Sequence, residues 1–166
     1  MEIDIKQRCC GLAKGTPIAV LHIGADRTAI AVGSGPQADA ALELAIGTHK
    51  TAVDWFHHNP PTPGELENAI QWVEDEVTRA RGLVAGYPAL WTADPWVQEM
   101  AQIAGVTGTA LSIEAVERLF DLLAALSQGR PAASAGIPNT PAFAATLLVL
   151  REFMHHLGFT EICWTV

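Results

Sequence analysis

Apolar and polar residues follow two different periods along this chain, and the change of period divides it. From Ile18 to Ile23 (IAVLHI) and from Thr28 to Val32 the residues are largely β-branched or apolar, and Gly24-Ala25-Asp26 between them supplies a tight bend. Gly33-Ser34-Gly35-Pro36 closes the second strand, Ala41–Ile46 alternates weakly as a third, and Thr51–Phe56 either continues that strand or hairpins from it. These segments predict an antiparallel meander. Residues 1–16 are mixed in character and close with Gly15-Thr16-Pro17, so an arm or a short edge strand is expected there.

Helical spacing begins at Thr62. Thr62 can cap, Pro63 suits the first helical position, and Glu65 completes a reciprocal capping box. Leu66, Ala69, Ile70, Val73 and Val77 then recur on one face, and Gly82 is placed to end the helix. The short apolar segment Leu83–Leu90 reads as a central strand, and Asp94-Pro95 opens a second helix that Gly105 ends. Ser112 caps a third, with Val116, Leu119, Phe120, Leu123 and Leu126 on one stripe. After a Pro-, Gly-, Ala- and Ser-rich loop at Gly129–Pro138, Thr140-Pro141 starts a last helix that is apolar nearly all round to Leu150 and stops at Gly158. Such a helix belongs in the middle of a core. Glu161–Val166 reads as a final strand, and the order β-β-β-α-β-α-α-α-β predicts an α/β domain with a mixed sheet flanked by helices.

Composition narrows the class. With 166 residues, 49% of them apolar and 17% charged, the chain is expected to fold as one globular domain spanning 17–166, without repeats or low-complexity tracts. Ten basic against 18 acidic residues, a formal charge of −8, argue against a nucleic acid or an anionic membrane as partner. Cys9, Cys10 and Cys163 form neither a C-x-x-C pair nor an even framework, which suits a reduced, intracellular protein. The first residues lack the apolar core of a signal peptide, and the longest apolar run, Ala142–Leu150, is broken at Thr146 and far short of the roughly 20 residues a membrane span needs. A soluble cytoplasmic protein is expected.

The bend at Gly24–Thr28 is the first chemical candidate. Backbone amides gathered at a glycine turn make a concave anion site, to which Arg27 adds a charged fork and Thr28 a hydroxyl; the same residues equally suit an ordinary hairpin turn. Lys50 could project toward the same place. The six histidines, His22, His49, His57, His58, His155 and His156, show no H-x-x-x-H or H-E-x-x-H spacing, so no metal site is expected, with His22 and His49 the one pair that a cleft could unite. Ser34 lacks the G-x-S-x-G setting of a nucleophile elbow, and Glu74-Asp75-Glu76 reads as the wet face of its helix. Of the five tryptophans most are expected in the core, while Tyr87, Trp91 and Trp96 are candidates for an interface.

Four segments together resemble the second half of the exopolyphosphatase and guanosine-pentaphosphate phosphohydrolase (Ppx/GppA) family, a branch of the actin and Hsp70 superfamily with a ribonuclease H-like fold. LHIGADRTAIAVGSG is similar to the family's strand, its phosphate loop reading aspartate-x-Gly-Gly-Gly-Ser-Thr-Glu, and the next strand. LAIGTHKTAVDWFHHNPPTPGELENAIQWVEDEV is similar to a strand with a central glycine, a basic residue and a proline-led helix; LSIEAVERLFDLLAALS resembles the helix after a second glycine motif; and IPNTPAFAATLLVLREFMHHLGFTEICWTV resembles the closing helix, Leu-Gly turn and strand. The resemblance implies phosphate chains or nucleotide phosphates bound in a cleft between two such domains, with acidic residues that hold Mg²⁺ and activate water.

At those positions this chain departs from the family. His22 stands for the strand-end aspartate, Asp26 for a glycine, Arg27 for the serine and Ala29 for the glutamate, while Gly24, Thr28, Gly47 and Lys50 match. The second glycine motif, expected after Leu83-Val84, reads Ala85-Gly86-Tyr87-Pro88-Ala89, where proline removes an amide and Tyr87 adds bulk. The family's first domain, with its catalytic glutamate, has no counterpart in these residues. The resemblance therefore implies a degenerate domain with no catalytic residues and no cofactor, acting as a binding, regulatory or protein-interaction module. A homodimer or a protein partner is expected, with weak phosphate or nucleotide binding through Gly24, Asp26, Arg27, Thr28, Gly47 and Lys50. The alternative is a divergent phosphohydrolase, Mg²⁺-dependent, whose cleft is completed by dimerisation.

Overall fold

The computed structural model describes residues 5–165. Its elements run α1 (Ile5–Ala13), β1 (Ile18–Ile23), β2 (Thr28–Gly33), β3 (Ala40–Leu44), α2 (Thr48–Trp55), α3 (Pro63–Thr78), α4 (Arg81–Val84), β4 (Ala89–Thr92), α5 (Trp96–Ile103), β5 (Ala110–Ser112), α6 (Ile113–Ser127), a 3₁₀ turn at Ala132–Ser134, α7 (Pro141–Leu157) and β6 (Glu161–Cys163). The strands form one six-stranded sheet in the order β3-β2-β1-β4-β6-β5. β1, β2 and β3 pair antiparallel, as the meander predicts; β4 lies parallel to β1 and β6 parallel to β4, and β5 closes the edge antiparallel to β6.

Strand β1 is buried on both faces, which is why it reads as a nearly continuous apolar run. Ala19, Leu21 and Ile23 face the main core, whereas Ile18 and Val20 join Cys9, Ala13 and Ala31 in a smaller cluster under α1. His22 shares the parity of Ile18 and Val20. The main core is organised around α7, whose residues from Ala144 to Leu150 are all buried, and which packs against α2, α3 and α6. Phe153 on that helix stacks on Phe159 with ring centroids 5.7 Å apart.

The capping signals form as read. Thr62 and Glu65 complete their reciprocal box at 2.9 and 3.2 Å, Ser112 accepts from the Ala115 amide, and Thr140 accepts from the Phe143 amide. Gly158 ends α7 in the left-handed region at φ 76°, where a side chain would be strained.

Five expectations are corrected. The first arm is neither arm nor strand over its described part but helix α1, because its apolar side finds the second face of β1 and β2; residues 1–4 lie outside the described residues. Thr51–Phe56 is not strand: α2 takes in Thr51–Trp55 and Phe56 caps its end, since Thr51 and Ala52 bury against α7 and the Thr51 hydroxyl accepts from the Gly47 amide at 3.2 Å. Leu83–Leu90 divides into α4 and β4, the break coming at Gly86, φ 86°, and Pro88. Helix α3 stops at Thr78, ahead of Gly82, which sits inside α4. β5, three residues long, is too short to show a period. The closing strand is β6, shorter than Glu161–Val166, and Val166 lies outside the described residues. Among the described residues no helix is long and apolar enough to cross a membrane.

Candidate functional site

In open α/β sheets ligands gather beyond the carboxyl ends of parallel strands. Here β1 and β4 end side by side, and two constellations occupy that edge: the Gly24–Thr28 turn with the start of α2, and a buried carboxylate, Asp94, just past β4.

The turn is closed by a bond from the Gly24 amide to the Arg27 carbonyl, 2.9 Å. Its outer carbonyls point into the start of α2: the Thr48 amide donates to Gly24 O at 2.9 Å, and the His49 and Lys50 amides donate to Ala25 O at 2.8 and 3.0 Å. Amides that would cradle an anion at a helix start are thus engaged by the chain itself. Gly47 is required by this contact, because a Cβ there would lie 2.7 Å from Gly24 O. Thr28 is fully buried and its hydroxyl donates to Ile46 O at 2.9 Å. The structure does bring Asp26, Arg27 and Lys50 together, around a cavity of about 430 Å³ that Glu43 and Arg79 also line. Each cation there has a carboxylate: Arg27 with Glu43, Lys50 with Asp54 and Arg79 with Glu76, at 2.8–2.9 Å. Exposed pairs of this kind hold weakly.

Asp94 was legible in the sequence only as a helix opener; in the fold it is a hub, 4% exposed. One oxygen accepts from Arg8 Nη1 at 2.9 Å and meets His22 Nδ1 at 2.6 Å. The other accepts from the Ile23 amide and from the Trp96 indole, both at 2.9 Å. A carboxylate offers about four acceptor positions, so this one is saturated. Burial pushes its pKa up, but the hydrogen bond and charge of His22, with the Ile23 amide and the Trp96 indole, outweigh burial and hold it below the ordinary value. Mg²⁺ needs carboxylate oxygens with free lone pairs, and Asp94 does not fit that role. The loop after β4, Ala93–Pro95, contains no glycine, and the Ala85–Ala89 segment read as the second glycine motif leads into that strand, ending on its first residue, and does not follow it.

Tyr87, Trp91 and Trp96 do not share one patch. Tyr87 precedes β4 and its hydroxyl donates to Asp39 at 2.6 Å; Trp91 packs under α1; Trp96 follows β4. Trp96 lines a separate cavity of about 330 Å³ with Met100, Pro138, Ala142, Phe143 and Thr48. His22 and His49 sit apart, one on the α1 side of β1 and the other at the start of α2. Burial and then Glu161 push the Cys163 thiol pKa up, which disfavours its thiolate.

No family model matches the sequence, and no curated protein matches it. Solved structures do. The type II variant of the Aquifex aeolicus Ppx/GppA phosphatase superposes with a TM-score of 0.74 at 16% identity, over 96% of this chain and 58% of that one. The chain has the fold of one half of a Ppx/GppA protein. Another structure of the Aquifex aeolicus PPX-GPPA enzyme gives a TM-score of 0.72 at 15% identity, over 93% of this chain and 55% of the other. An exopolyphosphatase from Cytophaga hutchinsonii gives 0.66 at 13% identity, over 90% and 53%. The chain therefore spans little more than half the length of these proteins, and its mixed sheet is the ribonuclease H-like sheet they contain.

Proposed function

We propose that this Ppx/GppA-like domain does not hydrolyse phosphoanhydrides and works through contact with another protein chain, a second copy first of all. One observation carries the reading: the buried carboxylate at the carboxyl edge of β1 and β4 spends all its acceptor capacity on Arg8, His22, Ile23 and Trp96. It has nothing left to bind a cation or take a proton from water. The contact proposed runs over the same edge, where Trp96, Met100 and Phe143 line an open, mainly apolar cavity. Phosphate affinity at the turn is weak in this reading, because an incoming anion must displace the carboxylates paired with Arg27, Lys50 and Arg79.

A second reading, a divergent Mg²⁺-dependent phosphohydrolase completed by dimerisation, is favoured by the three cations around one cavity. Titration with pyrophosphate, polyphosphate and nucleotides, with and without Mg²⁺, separates the two when tryptophan fluorescence and phosphate release are followed together. The first reading expects no release and a dimer in sedimentation velocity that Phe143→Asp dissociates. Mg²⁺-dependent release abolished by Lys50→Ala would overturn it.

A further inference from the structure

Away from that edge, helices α3 and α7 bring together a set of donors that neither reading uses. Glu152 and His156 are one turn apart on α7, and Glu74 faces them from α3. We propose that Glu74, Glu152 and His156 bind one Zn²⁺ ion, with solvent completing the coordination.

The donor set is mixed, one imidazole nitrogen and two carboxylate oxygens, and its atoms all lie within 4.8 Å of one another. His156 Nε2 is 2.8 Å from Glu152 Oε2 and 3.8 Å from Glu74 Oε2. Ligand atoms about 2.0–2.1 Å from a tetrahedral zinc stand about 3.3 Å apart, so the two His156 distances bracket the required value and each needs to change by about 0.5 Å, while the Glu74 and Glu152 oxygens, within 4.8 Å of each other, close by at most about 1.5 Å through the rotation of the half-exposed Glu74 side chain. The site is also supported from behind. Glu152 is 1% exposed, and its other oxygen is held by Arg151 Nη1 at 2.7 Å, which leaves Oε2 to the metal. Arg151 is itself fixed by Glu117 at 3.0 Å and by the Phe120 ring beneath its guanidinium.

Charge points the same way. Glu74, Glu117 and Glu152 carry three negative charges against the one positive charge of Arg151, and a metal-bound imidazole is neutral, so the group is two charges short of balance. A divalent cation supplies them. Access exists, because His156 also lines an open cavity of about 740 Å³ with His155, Tyr87 and Gly158. Imidazole among the ligands disfavours Mg²⁺ and Ca²⁺, and the order of divalent affinities favours zinc over manganese or iron.

The test is Zn²⁺ titration of the full chain against a chromophoric chelator, with Co²⁺ substitution read in the visible spectrum. One equivalent is expected, with a tetrahedral Co²⁺ band, and His156→Gln and Glu74→Gln should each weaken binding at least tenfold. Both residues are partly exposed, so these variants should fold. His58→Gln, which removes the separate His58–Glu65 pair, should leave binding unchanged. No stoichiometric binding would overturn the proposal, and so would binding that survives either ligand variant or disappears on thiol alkylation.

Discussion

Replacing Asp94 with asparagine keeps the shape of the hub and removes one acceptor atom. The carboxylate takes four donors, two on each oxygen. Whichever way the amide is turned, its NH₂ group meets two of them. Turned toward Ile23 and Trp96 it opposes a buried N–H; turned toward Arg8 and His22 it opposes groups that are 21% and 25% exposed and can recover water. The second orientation is cheaper, and His22 can then present an unprotonated Nδ1 to the amide. What is lost is the charge-assisted bond to Arg8 and the attraction to both partners, about 1.5–3 kcal/mol for such bonds. Alanine strands all four donors and should cost about 3–5 kcal/mol. In urea, with a slope of about 2 kcal/mol per molar, the midpoint should fall by about 1 M for Asp94→Asn and by about 2 M for Asp94→Ala. An Asp94→Asn midpoint within about 0.2 M of wild type, or an alanine variant no worse than the asparagine one, would refute the picture of a saturated hub.

Gly47→Ala pushes a methyl against the Gly24 carbonyl and should cost about 2–4 kcal/mol, read as a lower melting temperature, since backbone on both sides must shift. Thr62→Ala removes the hydroxyl that accepts from the Glu65 amide and should cost about 1 kcal/mol in the same denaturation assay. Stability should also fall in acid. Against the opposing effect of burial, hydrogen bonds from the Thr62 and His57 amides lower the Glu65 pKa to about 2, and His22 leads those that lower Asp94. Depressed pKa values give stability that is present above the unfolded values near 4 and lost as pH falls below them, so Glu65→Gln and Asp94→Asn should each flatten that acid limb in pH-dependent urea melts.

Local chemistry explains what was legible in the sequence. Thr62-Pro63-Glu65, Ser112 and Thr140-Pro141 with Gly158 announce helix ends within a few residues, and β1 and β2 carry their bend between them. α2 was not legible, because a helix of eight residues with Thr51 and Val53 inside it is decided by burial against α7 and not by propensity. The hub was hidden for a related reason. Arg8, His22, Asp94 and Trp96 come from three separate stretches of chain, and Arg8 and Asp94 are 86 positions apart, so no spacing rule joins them. The sequence named His22 as a departure from a family aspartate, but only the parallel pairing of β1 with β4 shows that an acidic group, Asp94, returns to the same edge from another strand. Glu74 was read with its neighbours as solvated surface, and α7, which turns it into a partner for His156, lies far along the chain.

The position of α7 and β6 has a kinetic consequence. The segment that fills the middle of this molecule is made after the elements it joins: β6 slots between β4 and β5, and α7 is the wall on which α2, α3 and α6 rest. During synthesis the meander and first helices must wait, with Leu21, Ile30, Leu66 and Val73 uncovered, until residues 141–163 have left the ribosome. A nascent chain halted before Pro141 should therefore behave as a client for chaperones, and refolding should proceed as one late, concerted step.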